Sequence, residues 1–164
     1  MNIDLHTILF ARVQPDAIIP SKRDEDAGYD LYCNFKDESI IIQPNTIALI
    51  PTGIAVAFNS DYVLIVKERS STGAKGMAVR MGVIDSGYRG EIVIGINNTN
   101  NKPIVITKDK NYKNEDCIIH LYAKAIAQGV LIPIPSVKVK EVTYEELLTI
   151  KSERGTSLRG ASEK

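Results

Sequence analysis

Apolar residues recur at alternate positions in short runs along most of this chain: Ile3/Leu5 with Ile8/Phe10, Tyr29/Leu31/Cys33, Ile40 to Ile42, Ile47 to Ile50 and Ile54/Val56/Phe58. Further runs follow at Val63/Ile65, Met77 to Ile84, Ile92/Ile94/Ile96, Ile104/Ile106, Ile118 to Leu121, Val130 to Ile134 and Val137/Val139. A period of two is the pattern of a strand with one buried face. Turn residues fill the gaps, at Gln43-Pro44-Asn45, Pro51-Thr52-Gly53, Asn59-Ser60-Asp61, Asp85-Ser86-Gly87 and Asn97 to Asn101. Many short strands with regular turns predict an all-β sandwich, jelly roll or barrel. One segment departs from this rhythm. Thr143-Tyr144-Glu145-Glu146 has the form of a capping box, and Leu147, Leu148 and Ile150 follow at helical spacing, which predicts a short helix from about Tyr144 to Ser152. Residues 153–164 hold two Gly, three Ser or Thr and almost nothing to bury, so they read as a tail attached to a β domain of residues 1–152.

Composition sharpens this picture. The 23 Ile and 12 Val are the β-branched excess that pleated layers use. A length of 164 residues suits one domain with one core. Twenty basic residues cancel twenty acidic ones, so no net positive field draws the chain to nucleic acid or to an anionic membrane. No apolar run has transmembrane length, and the start MNIDLHTILFARVQ lacks the marks of a secretory signal. The expectation is a cytoplasmic protein, or one of the host-cell interior if the source is viral. Cys33 and Cys117 stand far apart with no metal-ligand spacing, and read as two buried thiols. His6 and His120 have no partners at catalytic spacing.

Several segments could carry chemistry. Ala27-Gly28-Tyr29-Asp30-Leu31 places one carboxylate in an apolar strand, where it either faces water or serves a site. Glu68-Arg69-Ser70-Ser71-Thr72-Gly73-Ala74-Lys75-Gly76 gathers a guanidinium, three hydroxyls and two Gly directly after a strand. Such a set suits oligophosphate, with Arg for fork-like contacts, hydroxyls and N–H groups for single oxygens, and a helical turn behind them. It lacks Walker spacing, and the plainer reading is a polar loop capped by Ser70 or Ser71. In Gly82-Val83-Ile84-Asp85-Ser86-Gly87-Tyr88-Arg89-Gly90-Glu91-Ile92, two apolar strands flank a tight turn that presents an Asp and a Tyr. That is ordinary hairpin chemistry, yet a carboxylate on a rigid tip could orient and deprotonate a water.

Taken in order, the AGYDL, PTGIAV, RSS, GVIDSGYRGEI and IAQ segments and the Arg154-Gly155 tail resemble the trimeric dUTPases, from about Ala27 to Gly160. The resemblance implies an all-β, jelly-roll-like (β-clip) protomer with one short helix near the C-terminus. It also implies a homotrimer with sites shared between chains, dUTP as substrate, Mg²⁺ as cofactor, and hydrolysis to dUMP and pyrophosphate. Asp30 would hold the Mg²⁺ through a water. Arg69, Ser70 and Ser71 would bind the triphosphate, with Ser70 near the α,β-bridging oxygen. Asp85 would be the general base and Gln128 would help hold the attacking water. Tyr88 would pack on the deoxyribose and exclude a 2′-hydroxyl. The surrounding hairpin, with Val79, Val83, Ile84, Glu91 and Ile92, would read uracil, and Arg154 and Arg159 would close the tail over the ligand.

The chain departs from the family pattern at its end. Ala125 stands where the family usually has Arg, and Arg159 replaces the aromatic residue that covers uracil. A guanidinium stacked on the base would preserve that lid. Two other readings share the motifs: a dUTP-binding regulatory homologue with weak or no turnover, and a dCTP deaminase. The deaminase places a Glu on the strand after the third motif, where this chain has Gly95.

Overall fold

A computed structural model of the chain describes residues 3–156. The predicted strands assemble into four small sheets. One sheet orders β2 (Gly28–Leu31), β12 (Ala127–Pro133), β6 (Tyr62–Lys67) and β8 (Val83–Ile84). A second orders β4 (Ile47–Pro51), β9 (Val93–Asn98) and β7 (Met77–Arg80). A third orders β11 (Ile118–Leu121), β10 (Ile104–Thr107) and β3 (Ser39–Ile42), and β1 (Ile8–Arg12) pairs with β5 (Ile54–Phe58). All pairs are antiparallel except β10 with β11.

Alternation decides which side chains face inward. Ile54, Val56 and Phe58 of β5 are buried while Ala55 and Ala57 are half-buried, and Ile94 and Ile96 of β9 enter the same core as Leu31, Ile50 and Leu64. Each such side chain contributes about 1.5–3 kcal/mol on leaving water. β10 is buried at every position, so its sequence reads as a continuous apolar run rather than an alternating one.

The structure corrects several expectations. Ile3 and Leu5 form no strand. Val137 and Val139 are 76% and 98% exposed and lie outside any strand. The run from Met77 to Ile84 is two strands, because Met81 takes a left-handed backbone (φ 60°) that turns the chain from one sheet into another. The predicted helix forms on its capping box, with Glu146 N–H donating to Thr143 Oγ1 at 3.1 Å and Thr143 N–H to Glu146 Oε2 at 2.9 Å. This α2 (Tyr144–Leu148) stops short of Ser152, since the Thr149 hydroxyl donates to the Glu146 carbonyl at 2.7 Å as the turn closes. Cys33 is buried, and burial pushes its thiol up to about 12, whereas Cys117 is only half-buried.

Candidate active site

The register of β2, β12 and β6 builds the first half of the site. Gln128 on β12 stands opposite Asp30 on one side and Lys67 on the other. Two residues past Lys67 the chain reaches Arg69, whose Nε donates to Asp30 Oδ1 at 2.8 Å. Gln128 Nε2 donates to the Glu68 carbonyl at 2.9 Å, and this side chain lies so close over Gly28 that an added Cβ there would sit 2.6 Å from Gln128 Oε1. Asp30, Arg69, Ser70, Ser71 and Gln128 line one polar cavity of about 360 Å³ with Gly28. Ser70 opens α1 (Ser70–Gly73), a single turn. Neither Ser70 nor Ser71 caps it. The buried Thr72 does this work instead: its Oγ1 accepts from Arg69 N–H at 3.0 Å, which leaves both serines exposed at the cavity.

The third motif is not a simple hairpin tip. β7 and β9 pair with each other, but Val83 and Ile84 leave to pair with Ile65 and Leu64 of β6. Close packing makes this crossing possible, since an added Cβ on Gly82 would lie 2.5 Å from the Val66 carbonyl. The turn after β8 is braced from its own backbone and from Arg89: Tyr88 N–H donates to the Asp85 carbonyl at 3.0 Å, and Arg89 Nη1 to the Ser86 and Tyr88 carbonyls at 2.6 and 2.8 Å. The turn therefore holds Asp85 exposed at the rim of a second, mostly apolar cavity of about 410 Å³, which Met81, Val83, Ile84, Tyr88, Glu91 and Leu49 help to line.

The two cavities share no lining residue, so on one chain the expected site residues fall into two separate places. Of the expected base-binding residues, Ile92 does not reach the second cavity, because inward alternation buries it fully in the core. Val79 stays half-buried with its N–H donating to Glu68 Oε1 at 2.7 Å. Glu68 thus ties β7 to β12. Burial alone would raise its carboxyl, but hydrogen bonds from Val79 and its own backbone N–H, together with Lys67, hold it below the usual carboxylate range. Arg154 is exposed and lines neither cavity, and Arg159 lies outside the described residues. Sequence reasoning missed Leu49, and included Glu68 only as the first residue of the Arg69 segment, with no role of its own. The first carries a signal in its place as an outward residue of β4 opposite Gly95, whereas nothing in the pattern marks the second.

Among the described residues no cluster of three His, Cys, Asp or Glu could hold a metal by itself. His120 is buried with Nε2 3.2 Å from the Lys124 carbonyl. Burial lowers its pKa and the positive charges of Lys75, Lys124 and Arg69 lower it further, against the opposing effect of the Lys124 hydrogen bond. No helix among the described residues is long and apolar enough to cross a membrane.

Known proteins resemble this chain in sequence and fold. The dUTPase family profile matches residues 14–111. The deoxyuridine 5′-triphosphate nucleotidohydrolase of Gloeobacter violaceus is 34% identical over 140 residues, covering 84% of this chain and 82% of that protein. The Pol polyprotein of caprine arthritis encephalitis virus is 34% identical over 104 residues, and there the match spans 63% of this chain but only 9% of the polyprotein. Among solved structures, the Staphylococcus bacteriophage 80alpha dUTPase with dUpNHpp superposes with a TM-score of 0.74 at 27% identity, over 97% of this chain and 99% of that one. Sequence and fold agree: the chain belongs to the dUTPase family.

Proposed function

We propose that this chain hydrolyses dUTP to dUMP and pyrophosphate by in-line attack of water on the α-phosphorus, with Mg²⁺, in a homotrimer whose sites lie between chains. The observation that carries the reading is the exposed Asp85 carboxylate on a braced turn beside Tyr88, on a chain that also presents Arg69, Ser70 and Gln128 around a polar cavity. Asp85 takes a proton from the water as its oxygen bonds to the α-phosphorus, and the bond to the bridging oxygen breaks with its electrons passing to pyrophosphate. Ser70 and Arg69 meet that developing charge. Gln128 holds the water or an α-phosphate oxygen. Tyr88 packs on the deoxyribose and leaves no space for a 2′-hydroxyl, while the apolar cavity beside it receives uracil. Arg154 and Arg159 bring cations from the tail.

Mg²⁺ suits this donor set. An ion that keeps several waters and rests on phosphate oxygens needs one carboxylate rather than a cage, and Asp30, partly exposed in the polar cavity, offers it. Bound there, the metal would neutralise phosphate charge. Two features support the trimer. The cavities are separate on one chain, and a C-terminal segment leaves Val137, Val139, Leu147 and Ile150 exposed among the described residues. A cytoplasmic setting, or a host-cell interior for a viral source, fits the substrate. The reaction keeps uracil out of DNA and supplies dUMP for thymidylate synthesis.

The test is pyrophosphate release from dUTP with Mg²⁺, set against dCTP, dTTP and UTP. Release from dUTP alone, slowed roughly 10²–10⁴-fold in Asp85→Asn, is expected, with sedimentation at three times the 18.1 kDa chain mass. Binding of dUTP without turnover would instead make the protein a regulatory homologue. Ammonia from dCTP would make it a deaminase, although the buried Gly95 leaves that chemistry without its acid.

A further inference from the structure

We propose that Glu91 is a positioning residue for sugar selectivity, tying the Tyr88 ring to the turn between β4 and β5; this rests on the reading of Tyr88 as the sugar platform. Glu91 lines the apolar cavity, and its carboxylate is anchored to the neighbouring turn, since Oε1 accepts the Gly53 N–H at 2.6 Å. Charge-assisted bonds of this length are the strong ones. The turn on the other side of the bond is itself fixed. Gly53 adopts φ +67°, and an added Cβ would lie 2.7 Å from Ala17 Cβ. The buried Thr52 hydroxyl donates to the Ile92 carbonyl at 2.7 Å, and Ile92 N–H donates to the Ile54 carbonyl at 2.8 Å. Residues 91 and 92 are thus clamped to residues 52–54 by three hydrogen bonds.

Tyr88 hangs from that clamp. Its hydroxyl donates to the Glu91 carbonyl at 3.0 Å, and its ring crosses Gly90 so closely that an added Cβ would sit 2.6 Å from ring carbon Cζ. The backbone end of the residue is held by the Asp85 carbonyl. A ring rejects one extra hydroxyl by clash only while it cannot yield, because a side chain free to swing relieves the clash at little cost. With 45% of the residue exposed, packing alone does not confine Tyr88. The confinement comes from the hydrogen bond to Glu91 and from the Gly53 bond that fixes Glu91.

The experiment compares kcat/KM for dUTP and UTP in wild type, Glu91→Gln, Glu91→Ala, Tyr88→Phe and the double variant. Glu91→Ala is expected to lower the dUTP-to-UTP ratio about three- to tenfold, the range of one hydrogen bond. Tyr88→Phe, which leaves the Gly53 contact in place, lowers it similarly, and the double variant falls no further because both changes release the same ring. Glu91→Gln keeps an acceptor oxygen for Gly53 and retains the wild-type ratio. An unchanged ratio in Glu91→Ala or in Tyr88→Phe overturns the proposal, whatever happens to stability. So does a Glu91→Gln variant as relaxed as Glu91→Ala, which would mean that the charge acts on the ligand directly. Wild type that turns over UTP as fast as dUTP would instead remove the reading of Tyr88 on which the proposal stands.

Discussion

Replacing Thr52 with Val removes one buried hydroxyl and its two hydrogen bonds. Thr52 is 2% exposed, and its hydroxyl donates to the Ile92 carbonyl at 2.7 Å while receiving Ile54 N–H at 3.3 Å. Valine fills the same space with a methyl group, so packing is retained and only the polar partnership is lost. The Ile92 carbonyl then stays in a dry environment without that donor, a loss of about 1–3 kcal/mol. For a chain of this size the melting temperature should fall by about 2–12 °C. Circular dichroism melts measure this, at one fixed chain concentration because the proposed trimer would make the midpoint concentration-dependent. Thr52→Ser serves as the control: it keeps the hydroxyl and gives up one methyl, for about 0.8 kcal/mol. A Thr52→Val protein that melts with wild type would show that the hydroxyl contributes nothing, and would refute the account of the clamp between β4 and the third motif.

Other outcomes follow from the same geometry. Gly28→Ala should leave the protein folded but slow turnover at least tenfold in steady-state assays, because the new Cβ displaces the Gln128 amide and misplacement by about 1 Å can cost 10²-fold. His120 lowers stability in acid: its pKa in the folded protein lies below the ordinary 6.5, so the unfolded chain takes up the proton first as pH falls. The stability it provides is complete above about 6.5 and declines below it, and denaturant midpoints measured from pH 7.5 to 5 should decline less in His120→Gln. A thiol reagent at neutral pH should label Cys117 quickly and Cys33 only on unfolding, as burial pushes the Cys33 thiol up to about 12.

Most strands were legible because they bury one face, and period-two alternation survives wherever that holds; β10, buried at every position, reads instead as an apolar run. It failed at Val137 and Val139, where alternation is present but none of the described residues buries it. It also failed at Met81, because an apolar residue in the left-handed region looks, in sequence, like the continuation of a strand. The cluster of Asp30, Arg69 and Gln128 was legible as motifs but not as contacts: their meeting depends on the register of β2, β12 and β6, which no local pattern encodes. Ile92 shows the reverse. The family resemblance put it in the uracil hairpin, while period-two alternation with Ile94 and Ile96 sends its side chain to the core.

The separation of the two cavities on one chain has a genetic meaning. On the shared-site reading, a lesion at Asp85 and a lesion at Arg69 damage different halves, and a chain carrying either still offers the other half intact. Two dead alleles expressed together would then restore activity, since around every mixed ring one junction unites an undamaged Asp85 with an undamaged Arg69. Two alleles broken in the same cavity would never do so. The fold converts intragenic complementation into a map of which residues face the same neighbour.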